Sequence, residues 1–176
     1  MDIPVPFAAA RDVVRPEWID YNGHMNVGYY HVAFDIASDL FTEFLGLTQE
    51  FRRRNAATTY GLEAHLNFLR EVKAGDPLRF ESRLLDFDAK RIHSYHEMFH
   101  ATEGTLAASM ETLSSYVSQS ARRTSPMPDE LLTRLAAVKA AHAALPRPWQ
   151  VGHVMSARSV KSAVNNALTS PKTGST

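Results

Sequence analysis

Val27-Gly-Tyr-Tyr-His-Val-Ala-Phe-Asp-Ile-Ala-Ser-Asp-Leu-Phe-Thr-Glu-Phe-Leu45 is the stretch that decides the fold. Within it Tyr30, Phe34, Ala37, Phe41 and Leu45 recur at three- and four-residue steps, the spacing of one helical face. Val32, Ala33, Ile36, Leu40 and Phe44 widen that face, leaving a narrow polar strip around Asp35, Asp39 and Glu43. A helix apolar around most of its circumference has to be wrapped by other structure. Asn26 suits the N-cap, and Gly46 stops the helix in the usual C-terminal position.

The flanking sequence supplies the wrapping. Residues 7–15 read as a strand ahead of Pro16, and a short basic turn at Arg52, Arg53 and Arg54 follows the helix. Over 57–72, Leu62, Ala64, Leu66 and Phe68 alternate with Glu63, His65 and Asn67, which is the period of a strand. Three more strands are expected at 78–86, 92–101 and 105–117. Turns at Ala74-Gly-Asp-Pro77, Asp88-Ala-Lys90 and Glu103-Gly104 separate them. Short connections favour antiparallel neighbours, so the four long strands are expected to form a meander. Leu131, Leu132, Leu135 and Val138 mark a last, peripheral helix from 129 to 144. The expected architecture is α+β: one curved antiparallel sheet folded around one long central helix. Residues 1–150 are expected to form a single domain and 151–176 a C-terminal tail.

Composition narrows the function. The 176 residues carry 19 Lys+Arg against 19 Asp+Glu, so no basic excess points to nucleic acid. Cysteine is absent, which removes thiolate nucleophiles, disulfides and cysteine-based metal sites. No apolar run spans a bilayer and the N-terminus lacks a secretory pattern, so a cytoplasmic protein is expected. Neither a Gly-x-Ser-x-Gly elbow nor a Gly-x-Gly-x-x-Gly turn is present. His93, His96 and His100 share one strand but not one face, so no metal is assigned.

Chemistry gathers just before the long helix. Asp20, Asn22, His24 and Asn26 stand at every second position of a turn-rich loop. The helix end beside them offers unpaired backbone N–H groups and the positive end of a dipole. A carboxylate, an imidazole and two amides thus adjoin a place where a carbonyl oxygen can gather negative charge.

The string Trp18-Ile-Asp20-Tyr-Asn22-Gly-His24-Met-Asn26-Val-Gly-Tyr29-Tyr30 resembles the Asp-x-Asn-x-His-x-Asn signature of hot-dog-fold acyl-CoA thioesterases. Leu66-Asn-Phe-Leu69-Arg70-Glu-Val-Lys-Ala-Gly75-Asp76 resembles that family's second strand and following turn, and the likeness covers residues 7–135. Pro16-Glu-Trp18, Glu63-Ala-His65 and Asp88-Ala-Lys90-Arg91-Ile-His93 are further similar to the betainyl-CoA thioesterases of carnitine breakdown.

The resemblance implies thioester hydrolysis with no cofactor beyond the coenzyme A of the substrate. It implies catalytic roles for Asp20, Asn22 and His24. Benzoyl-CoA-type relatives carry an aspartate where Asn22 stands, so the carboxylate here must be Asp20 or Glu63, acting as base or nucleophile. Asn26 and the N–H groups of Val27 and Gly28 are implied at the oxyanion. Trp18, Tyr29, Tyr30 and Phe34 are implied around the acyl group. Lys90, Arg91 and the three arginines are implied at the coenzyme A phosphates. A homodimer or homotetramer is expected, because an exposed sheet edge needs covering. Two alternatives stay open: another short or aromatic acyl-CoA as substrate, and a non-catalytic acyl-CoA-binding protein.

Overall fold

The computed structural model describes residues 2–157. The long helix, α1, spans Val27–Phe44. The Asn26 side chain caps it by accepting the Gly28 N–H at 2.9 Å. At Gly46 the backbone turns back with φ +106°, a conformation that favours glycine, and a Cβ there would stand 2.8 Å from Arg134 Cδ and push that side chain aside. Tyr30, Ala33, Phe34, Ala37 and Phe41 form the buried face of α1. Phe34 meets Phe80 edge to face, Tyr30 meets Phe68, and Phe41 meets His96. The other half of the apolar surface, Val32, Ile36 and Leu40, remains more than 40% exposed in this chain.

Before α1 lies β1 (Arg11–Val13), shorter than the strand expected over 7–15. Phe7 still reaches the sheet through a single bridge to Ser82. After α1, the expected basic turn is a helix, α2 (Gln49–Asn55), because the Thr48 side chain accepts the Phe51 N–H and caps it. The strands β2 (Ala57–Phe68), β3 (Pro77–Phe87), β4 (Arg91–His100) and β5 (Leu106–Ser118) follow, then a two-residue β6 (Arg123–Thr124) and helix α3 (Asp129–His142).

All pairings are antiparallel, and the sheet order is β1-β3-β4-β5-β2, with β6 beside β5. This departs from the expected meander, since β2 pairs with β5 and not with β3. The link over residues 69–76 is long enough to cross the end of the sheet, where Leu69 and Arg70 N–H both reach the Ala107 carbonyl. Val72 is buried on that crossing, and its carbonyl accepts the Met25 N–H. The crossing therefore props the loop that precedes α1. It also leaves β2 at the sheet edge, where Tyr60 and Leu62 are each 56% exposed. Within β2 a bulge between Gly61 and Glu63 shifts the pairing with β5.

Helix α3 docks against β3 through His142. Its Nδ1 accepts the Leu84 N–H at 3.0 Å, and its Nε2 lies 3.0 Å from the Pro4 carbonyl. Burial lowers the His142 pKa, so the ring stays neutral and fits this donor-acceptor pattern.

Candidate active site

The segment from Asp20 to Asn26 is a tight turn, not an extended strand. The Asp20 N–H bonds the His24 carbonyl, the Gly23 N–H bonds the Asp20 carbonyl, and Ile19 bridges Met25. Gly23 sits at φ +81°, which favours glycine at the apex. Asp20 Oδ1 accepts the Asn22 N–H at 2.8 Å, an Asx turn that holds the carboxylate at the protein surface. Tyr21 beside it is 97% exposed. Asn26 spends its side chain on the Gly28 N–H, so the first free N–H of α1 is that of Val27, which has no acceptor among the described residues. The turn that carries Asp20, Asn22 and His24 therefore leads directly into an open helix N-terminus.

One turn into α1, at His31, begins a cavity of about 420 Å³ between the helix and the inner face of β2, β5 and β4. Its rim carries His31, Asp35 and Asp39. Its floor is polar where a helix-facing sheet is normally apolar, with Ser94, His96, Thr112 and Ser114. His96 is 1% exposed, its Nδ1 lies 2.8 Å from Ser82 Oγ, and burial pushes its pKa down to about 4 from 6.5. The unfolded chain therefore takes up a proton near pH 6.5 that the folded chain refuses until about pH 4. Stability from this residue is complete above pH 6.5 and is lost as the pH falls through that window, by on the order of 3 kcal/mol. Urea unfolding at pH 4.5 and 7.5 should show a smaller difference between the two pH values in His96→Gln than in the wild type.

A family model described as the thioesterase-like superfamily matches residues 14–135, from the end of β1 into α3. The chain belongs to that superfamily. It is 38% identical over 142 residues to the betainyl-CoA thioesterase of Pseudomonas aeruginosa, covering 81% of this chain and 89% of that one. It is 31% identical over 153 residues to the L-carnitine dehydrogenase/betainyl-CoA thioesterase of Rhizobium meliloti, covering 86% of this chain and 30% of that larger one. A hypothetical protein from Staphylococcus aureus, solved in complex with CoA, superposes with a TM-score of 0.80 at 28% identity, over 89% of this chain and 98% of that one. The expected hot-dog architecture and the resemblance read from Trp18 to Asn26 agree with these likenesses.

In this thioesterase-like chain the remaining expected site residues fall in four places. Trp18 and Tyr30 are buried in the core and Phe34 is wholly enclosed, while Tyr29 is half-buried and stacks on Trp18 at 5.7 Å. None of the four lines the cavity behind His31. Glu63 pairs with His65 at 2.7 Å, and both border a second cavity with His93 and Glu111, on the sheet face away from α1. There the His93 Nε2 meets Glu111 at 2.6 Å, and the other Glu111 oxygen accepts the Gly152 N–H at 2.8 Å. The backbone past residue 150 is thus held to the sheet at Val151 and Gly152, and residues 158–176 of the expected tail lie outside the described residues.

Lys90 and Arg91 occupy the β3–β4 turn, where Asp88 accepts both backbone N–H groups and pairs with the Arg91 guanidinium at 2.6 Å. Arg54 pairs with Glu130 across to α3. His93, His96 and His100 go to separate partners, Glu111, Ser82 and Asp76, and no three-ligand metal group exists among the described residues. No helix among the described residues is long and apolar enough to cross a membrane.

The polar floor was missed in the sequence, although a signal for it was there. Ser94 and His96 share a strand face with the buried Ile92 and Met98, and polar residues at core-facing positions ask for an explanation.

Proposed function

We propose that the protein hydrolyses acyl-CoA thioesters, with betainyl-CoA as its substrate: water and betainyl-CoA give glycine betaine and free coenzyme A. The observation that carries the proposal is the free Val27 N–H at the mouth of α1, directly after the turn that carries Asp20, Asn22 and His24. The acyl group is taken from the 38% identity to a betainyl-CoA thioesterase, spanning most of both chains. The dehydrogenase fused to a similar domain in Rhizobium meliloti supports a place in carnitine breakdown.

In this reading the thioester carbonyl points at Val27, and the Asp20 carboxylate takes a proton from a water that attacks the carbonyl carbon. The resulting oxyanion is held by the Val27 N–H and the helix dipole, a contribution worth about 10²–10³ in rate. Asn22 orients the water or the carbonyl. As the C–S bond breaks, His24 donates a hydrogen bond or a proton to the leaving thiolate. Glu63 is the second candidate carboxylate, and its pairing with His65 on the far sheet face favours Asp20 over it. Lys90, whose side chain has no partner among the described residues, and Arg91 serve the coenzyme A phosphates. The reaction needs no cofactor.

The free β2 edge supports a homodimer in which two copies of β2 pair around a two-fold axis. We place the enzyme in the cytoplasm, where coenzyme A thioesters are made and used. The test is thiol release from a panel of esters. Betainyl-CoA should exceed acetyl-, butyryl- and benzoyl-CoA in kcat/KM by at least about tenfold. Equal rates across the panel, or a better aromatic substrate, would keep the thioesterase and reject betainyl-CoA.

A further inference from the structure

Near the mouth of α1, most aromatic faces are closed to a cationic acyl group. The Arg15 guanidinium lies 4.6 Å from the centre of the Trp18 ring, and Tyr29 stacks on Trp18 at 5.7 Å. Tyr30 and Phe34 are buried. Tyr21 stands clear of the protein, so nothing fixes its ring. Phe68, the last residue of β2, differs from all of these. Its ring is 49% exposed, and no lysine or arginine lies over it among the described residues. It is also held in place. The Tyr30 ring meets it edge to face at 5.2 Å, and the Tyr30 hydroxyl donates to the Arg70 carbonyl at 3.2 Å. The Leu69 and Arg70 N–H groups both bond the Ala107 carbonyl, which pins the backbone directly after Phe68. A half-exposed phenylalanine on an edge strand needs no explanation by itself. One braced by a buried tyrosine at a helix mouth does.

Phe68 lies level with the first turn of α1. Helical side chains lean toward the N-terminus, so Tyr30 reaches back over the turn that begins at Val27. The ring it meets therefore stands beside the Val27 N–H. A second tie gives the same placement: the Val72 carbonyl, shortly after Phe68, accepts the Met25 N–H at 2.9 Å, just ahead of Val27. In a betainyl ester the quaternary nitrogen is two bonds from the carbonyl carbon, so a carbonyl held at Val27 keeps the ammonium group at that first turn. A quaternary ammonium donates no hydrogen bond and takes its attraction from an aromatic face or a negative charge. The carboxylate on the crossing, Glu71, pairs with Lys73 at 3.9 Å, which leaves the ring as the free partner for a cation. We infer that Phe68 sets the acyl specificity: its open face takes the trimethylammonium group while the Val27 N–H holds the carbonyl. Tyr30 is a positioning residue that acts through Phe68. The inference rests on the thioesterase and betainyl-CoA reading above and gives that reading its source of substrate choice. Phe68 takes no part in proton transfer.

The decisive comparison is betainyl-CoA against 3,3-dimethylbutanoyl-CoA, in which carbon replaces the quaternary nitrogen at nearly the same size and shape. The wild type should prefer the charged ester in kcat/KM. Phe68→Leu keeps an apolar side chain and removes the aromatic face, so the charged-to-neutral ratio should fall about 3- to 30-fold. Phe68→Tyr restores a ring and should restore the ratio. The position is half exposed at the end of β2, so both variants should stay folded, as circular dichroism will check. A packing or assembly role for Phe68 would instead change both esters alike. A ratio unchanged in Phe68→Leu overturns the assignment and leaves the thioesterase and its substrate standing. A wild type with no preference for the charged ester overturns both the assignment and betainyl-CoA as substrate. Calorimetric titration with glycine betaine reads the site without turnover, with 3,3-dimethylbutanoate as the neutral control. Tighter binding of glycine betaine to the wild type than to Phe68→Leu, with the neutral acid bound alike by both, supports the assignment even if no ester is cleaved. Equal binding of glycine betaine to the two proteins, or binding to neither, defeats it.

Discussion

Asp20→Asn should lower kcat/KM for betainyl-CoA by about a hundred- to ten-thousand-fold, the usual worth of a general base. The substitution separates chemistry from architecture. Among the described residues the Asp20 side chain makes one hydrogen bond, accepting the Asn22 N–H at Oδ1, and an asparagine keeps that acceptor in place. The turn around Gly23 and the bridge between Ile19 and Met25 rest on backbone groups and do not change. Thermal unfolding should therefore shift little, by less than about 1 kcal/mol. Thiol-release kinetics at saturating and limiting ester give kcat and KM separately, and the loss should fall on kcat. A loss under threefold would move the base away from Asp20, with Glu63→Gln as the next variant to measure.

The second large effect concerns assembly. Tyr60→Lys/Leu62→Lys should convert a dimer to a monomer and abolish most activity with it. Both side chains are more than half exposed on β2, which has β5 on one side and no partner strand on the other among the described residues. In a two-fold pairing both copies bring the added charges to one seam, so two lysines per chain become four there. Leu62 also lines the helix-sheet cavity, so an open edge leaves that cavity open to solvent on the β2 side. Sedimentation or light scattering reads the mass. A monomer that keeps full activity would mean that one chain holds the whole site.

Much of the architecture was legible in the sequence because periodicity reports burial. The three- and four-residue spacing from Tyr30 to Leu45 marked the central helix, and the alternation around Leu66 marked β2. Sheet order was not legible, because a strand's pattern says which face is buried and not which neighbour lies beside it. The sequence extends the strand to 72 and places a turn at 74–77, whereas β2 ends at Phe68 and residues 69–76 carry it to the far side of β5. Helix α2 was hidden for a related reason: seven residues with three consecutive arginines show no amphipathic period, and only the Thr48 cap reveals the start.

At the candidate site, the sequence located the loop but not its shape. Alternating polar residues suggested side chains projecting to one side, whereas the chain folds back so that the Asp20 N–H meets the His24 carbonyl. The aromatic residues Trp18, Tyr30 and Phe34 were natural candidates for the acyl group, and the burial of Tyr30 and Phe34 followed from the same helical face that identified α1. Asp35 and Asp39 show in the sequence only as part of a narrow polar strip, since nothing in a helix alone reveals what a sheet from elsewhere in the chain will place opposite it.

The most direct measurement is hydrolysis of betainyl-CoA by the wild type in water enriched in oxygen-18, with thiol and glycine betaine quantified together. The account predicts equal amounts of coenzyme A and glycine betaine, released at enzyme-dependent rates, with one heavy oxygen in each new carboxylate. Tight binding of intact betainyl-CoA with no thiol released above the buffer rate would contradict it, and would leave an acyl-CoA-binding protein on a thioesterase scaffold.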